Sequence, residues 1–159
     1  MTAKADFNAE EWSTVVEAPL LAGMRVVVAD RGGTIRESLA IGKVYSHARQ
    51  AHGESELLDE LTASPPVADP QRLKGAGDLG AASEKRLREA LQLVSAKGAP
   101  EDVEAYKRFV LSVAQAAAEA HKEGGFAGIG GKQISGAEQA ALDEIRSLMD
   151  DGTASPPSG

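Results

Sequence analysis

Apolar side chains recur every three to four positions through most of this chain. That repeat belongs to α-helices that each lay one face on a core. A chain patterned this way hides its oily stripes by packing rods against one another. The expected fold class is therefore all-α, a single-domain bundle of five to six helices. A length of 159 residues suits one domain with a core of its own.

Capping residues and breakers place the helices. Asn8 with Glu11 has the spacing of a capping box, and Phe7 with Trp12 matches a hydrophobic staple. Pro19 is expected to end or kink this first helix. A second apolar segment, Leu20 to Ala29, runs into Asp30-Arg31-Gly32-Gly33. Thr34 and Glu37 form another capping box, with Leu39, Ala40, Val44, Ala48 and Ala51 as the inward side and Gly53 as the break. Glu54 to Leu61 reads as a short helix facing inward through Leu57, Leu58 and Leu61.

The second half follows the same grammar. Ser83 is expected to cap a helix that runs to about Lys97 on a stripe of Leu87, Leu91 and Val94, with Gly98 ending it. Pro100, Glu101 and Asp102 open the longest helix, to about Lys122. Val103, Tyr106, Val110, Val113, Ala117 and Ala120 share one of its faces, which Phe109 and Ala116 widen. Ser135 and Glu138 make a third capping box before a last helix with Ala141, Leu142, Ile145 and Leu148 inward. The domain plan is an N-terminal tail at 1–6, a helical domain at 7–150 with a Pro/Gly-rich linker at 62–80, and a disordered tail at 151–159. Leu20 to Glu37 and Val110 to Glu138 echo each other, which suggests two pseudo-repeated helix–loop–helix halves.

Composition removes several function classes. The chain has no cysteine, so disulfides, thiolate catalysis and cysteine metal clusters are out. A net charge of −7 argues against general nucleic-acid binding, which needs cations against phosphate. Met1 to Asp6 lacks the apolar core of a signal peptide. The longest apolar run, Ala18 to Ala29, is broken by Arg25 and falls short of the roughly 20 residues a membrane span needs. No membrane span and a cytoplasmic location are expected.

Two segments imitate catalytic motifs. Val26-Val27-Val28-Ala29-Asp30, read as a strand, resembles the nucleophile motif of haloacid-dehalogenase-type phosphatases, but Gly32 stands where the second carboxylate belongs. Gly124 to Lys132 resembles a phosphate cradle, but Phe126 takes the first glycine position and Gln133 the place of the Mg²⁺-binding hydroxyl. Its apolar Phe126 and Ile129 could instead latch onto the core or meet a partner. Acids gather at helix ends: Asp30 and Glu37, then Glu119, Glu123 and Glu138 with His121 nearby. Oxygen-rich sets of this kind suit Ca²⁺ or Mg²⁺. His47 and His52 lie five apart, which is not one helix face.

The run Val-Ala-Gln-Ala-Ala-Ala-Glu-Ala from Val113, a glycine loop, then Ile-Ser-Gly-Ala-Glu from Ile134 resembles the helix–loop–helix half of TerB-like tellurite-resistance proteins. Val28-Ala29-Asp30 with Ile35 and Glu37 gives a shorter echo. The resemblance implies an all-helical fold, a divalent-cation site and a stress-response setting. Carried over, the cation ligands fall on Asp30 and Glu138. This chain has His121 where the family places an aspartate, and its loop is longer. The leading expectation is a non-enzymatic binding or adaptor module. A carboxylate-dependent hydrolase or lyase is the first alternative. The second is a homo-oligomeric structural protein, self-associating through the Ala-rich Pro100–Lys122 helix or the 124–131 loop.

Overall fold

The computed structural model describes residues 4–29, 35–51, 53, 55–63, 79–124 and 136–151. Among them are six α-helices and no strand: α1 (Ala9–Ala29), α2 (Ile35–Gln50), α3 (Glu56–Ala63), α4 (Leu79–Lys97), α5 (Pro100–Gly124) and α6 (Gly136–Asp151). The fold is an all-α bundle. A 3-10 turn, Lys4–Asp6, leads into α1. All six helices contribute to one buried apolar cluster, so the core is single. α1 and α5 are its axis: α1 packs chiefly on α5 and α4, while α2 packs chiefly on α5.

The entry to α1 follows the sequence signal. The Asn8 amide donates to Glu11 Oε2 and the Glu11 amide to Asn8 Oδ1, both at 2.9 Å. Phe7 and Trp12 stack with ring centroids 5.9 Å apart. Such a cap contributes on the order of 1 kcal/mol. The turn before it is tied down, because the Lys4 amide donates to the Glu60 carboxylate on α3.

Pro19 does not end α1, which runs on to Ala29. Proline inside a helix costs about 3 kcal/mol, partly because the carbonyl four residues earlier loses its donor. Here that carbonyl belongs to Val15, and the Tyr106 hydroxyl of α5 donates to it at 2.8 Å. Val15, Ala18, Ala22 and Val26 are all fully buried, so packing on both sides of the proline holds the rod together. The strand reading of Val26–Ala29 fails for the same reason, since these residues are the last turn of α1.

Three further expectations are corrected. Ser83 is no cap: α4 begins at Leu79, and Ser83 is fully buried one turn before Leu87 on the inward face. Burial of that face outweighs a local capping preference. On α2 the buried residues are Ile41 and Tyr45, whereas Val44 and Ala48 are half-buried and Ala51 is exposed. The helix is turned so that Tyr45 meets Phe109 edge-on at 5.0 Å. Thr62, placed in the linker by composition, is buried in α3 and bonds back to the Leu58 carbonyl at 2.8 Å. Leu79 and Gly80, at the linker's other end, belong to α4.

The chain breaks behave as expected. Gly53 after α2 has φ of +103°, a left-handed conformation that favours glycine, and its amide donates to the Asp59 carboxylate at 3.0 Å. Gly98 closes α4 through a bond to the Val94 carbonyl. No described helix is long and apolar enough to cross a membrane.

Candidate functional site

Among the described residues an open groove of about 760 Å³ lies between the first half of α1 and α4. Glu10, Glu11, Ser13 and Thr14 form one wall; Arg86, Glu89, Gln92, Leu93 and Ala96 form the other. Both walls follow helical spacing. Positions 10, 13 and 14 share a face of α1, and 86, 89 and 93 share a face of α4. Each face borders the buried stripe of its own helix: Thr14 is itself buried, Glu89 is half-buried, and Glu10, Ser13, Arg86 and Gln92 are exposed.

Cross-helix bonds fix the walls. Arg86 Nη1 donates to Thr14 Oγ1 at 3.1 Å, and Thr14 Oγ1 donates to the Glu10 carbonyl at 3.1 Å. Arg86 also lies 3.9 Å from Glu89, an exposed pair that adds little energy. At the groove's end Lys97 Nζ donates to Glu11 Oε2 at 2.6 Å and to the Asp6 carbonyl at 3.1 Å. The same ammonium sits 5.6 Å from the Phe7 ring centre. The Lys97 bond, helped by the Asn8 amide, holds the Glu11 carboxyl below its ordinary pKa.

What remains for a ligand is the apolar surface of a half-buried Leu93 and an exposed Ala96, the carboxylates of Glu10 and Glu89, and donors on Arg86 and Gln92. Glu11 is already neutralised by Lys97. The groove can therefore grip by charge and hydrogen bonds over an apolar strip.

The residues singled out in the sequence fare differently. Asp30 lies outside the described residues, as do His52, Phe126 and Ile129. Glu138 falls in the first turn of α6 and His121 in the last turns of α5, but their side chains, like those of Glu37 and Glu123, are outside the described ones. Glu119 is exposed and accepts from Gln115 at 3.1 Å. His47 is exposed on α2. Among the described residues no three His, Asp or Glu side chains group closely enough to hold a metal ion. The Ala-rich face of α5 is covered within the chain, since Ala114, Ala117 and Ala118 are fully buried.

Other polar groups are buried away from the groove. Ser55 Oγ donates to Asp102 at 2.6 Å, joining the start of α3 to the first turn of α5. The Tyr45 hydroxyl is buried without a hydrogen-bond partner among the described residues, and burial raises its pKa. Burial does the same to Tyr106.

The groove residues escaped the sequence reading. Glu10, Thr14, Arg86 and Glu89 belong to no motif in the sequence, and nothing in the order of residues pairs α1 with α4. The usable signal was a wet face directly beside a stripe on both helices. Comparison with family models, with curated proteins and with solved structures finds no match.

Proposed function

We propose that this chain is a non-enzymatic binding module that seats a basic, amphipathic protein segment in the α1–α4 groove. The observation that carries this reading is the lining itself, in which the apolar Leu93 and Ala96 stand with the acids Glu10 and Glu89. Arg86, pinned to Thr14, supplies a fixed donor for the partner's backbone. The net charge of −7 would draw a cationic segment in from a distance. Several described carboxylates are committed to the fold: Glu11 to its cap and Lys97, Glu144 to Arg25, Asp102 to Ser55. That favours binding over the hydrolase or lyase reading.

Calorimetric titration with a short amphipathic Lys/Leu peptide tests it. Binding is expected to weaken about fivefold in the E10Q/E89Q double variant, the effect of two rim charges, and to fall as salt rises. An acidic peptide of the same pattern binding equally well would sink the proposal.

The resemblance to TerB-like proteins adds a divalent cation at Asp30 and Glu138, in a stress-response setting. A thermal-shift screen with Ca²⁺ and Mg²⁺ against a chelated control examines that part separately. The melting point should rise by RT ln(1 + [L]/Kd) in free-energy terms, and Asp30→Asn should abolish the rise. No shift with either cation removes the cation from the proposal and leaves the groove untouched.

A further inference from the structure

We infer that Pro19 makes a weak point in α1 whose local opening is held shut by the Tyr106 hydroxyl of α5, a latch supplied from outside the helix. The chemistry starts with the missing amide. Proline cannot supply the ladder bond to the carbonyl four residues back, and its ring presses on that carbonyl. The carbonyl of the fully buried Val15 would be an orphan. A donor arrives from another helix instead, the Tyr106 hydroxyl at 2.8 Å. Tyr106 is itself fully buried, so this bond satisfies both groups at once.

The segments of α1 before and after Pro19 are tied to different neighbours. Before Pro19, Glu11 is bonded to Lys97 and Thr14 to Arg86, both on α4. After Pro19, Arg25 pairs with Glu144 on α6, and Gly23 lies against Ile41 on α2. α5 meets both segments, Tyr106 at the first and Val113 at the second, and so acts as the axis. The ladder of α1 is continuous on either side of Pro19, and the Tyr106 hydroxyl takes the place of the one bond that Pro19 removes. Releasing the latch would let this turn of α1 open locally. This inference does not depend on what fills the groove.

Hydrogen exchange on the full chain, read by mass spectrometry, tests it with Y106F, P19A and the double variant. In Y106F the amides of residues 16–24 should exchange about tenfold faster, as for one lost buried bond, while those of 141–149 on α6 change far less. P19A restores a backbone donor, so exchange at 16–24 should slow, and Y106F should have a much smaller effect in that background. Acceleration spread evenly over all helices would overturn the latch and leave an ordinary structural bond. So would equal effects of Y106F in both backgrounds, or no slowing in P19A.

Discussion

Gly23→Leu is expected to abolish the folded bundle at ordinary temperature. A Cβ at this position would stand 2.8 Å from both Ile41 Cδ1 and Val113 Cγ1, closer than unbonded carbons come. Leucine adds three more carbons into that crossing of α1, α2 and α5. Overpacking a tight site by even a methylene or two costs roughly 1–3 kcal/mol, and a whole isobutyl group exceeds it. Leucine is a good helix former, so the loss cannot be assigned to propensity. Gly23→Ala is the graded version. It gains up to about 1 kcal/mol of helix propensity, but must displace Val113, whose branched side chain has little freedom to turn away. A net loss of about 1 kcal/mol is expected. Gly42 is the internal control, because a Cβ there meets nothing within 4 Å. Gly42→Ala should gain about 0.5–1 kcal/mol, raising Tm by about 2–3 °C in a domain of this size. Urea melts followed by circular dichroism compare the three; alanine behaving alike at positions 23 and 42 would contradict the close crossing.

Lys107→Met should move stability the other way. Lys107 is 5% exposed, and its Nζ has no hydrogen-bond partner among the described residues. Glu104 lies 3.7 Å away, but its side chain is 59% exposed, so water screens the attraction. An ammonium held in the interior without good hydrogen bonds is expensive, and well-packed apolar replacements of buried ions are often stabilising. Methionine has nearly the same length and adapts to irregular space. A gain of about 1–2 kcal/mol is expected, seen as a higher urea midpoint with an unchanged slope. A clear loss would mean that the amine is well solvated or paired in solution.

These two sites also show what could be read from residue order alone. The helical class, the Asn8–Glu11 box, the break at Gly53 and the inward faces of α5 and α6 were legible because each depends on neighbours within a turn or two. The continuity of α1 through Pro19 was not, since its rescue comes from Tyr106 on another helix. The rotation of α2 is set by Phe109, and the burial of Ser83 by the face it shares with Leu87; both are tertiary choices that override local preference. The groove was illegible for the same reason. Its Thr14–Arg86 bond joins two helices that no local signal brings together, whereas Asp30 and Glu138 were named through the resemblance of their segments to TerB-like proteins.

The most direct test of the binding reading is where a partner touches. Amide chemical shifts of the labelled full chain can be followed while the basic Lys/Leu peptide is added. The proposal predicts that the largest movements cluster at Glu10, Thr14, Arg86, Glu89 and Leu93. Shifts confined to α5 and α6, or none at all while the chain stays folded, would contradict it.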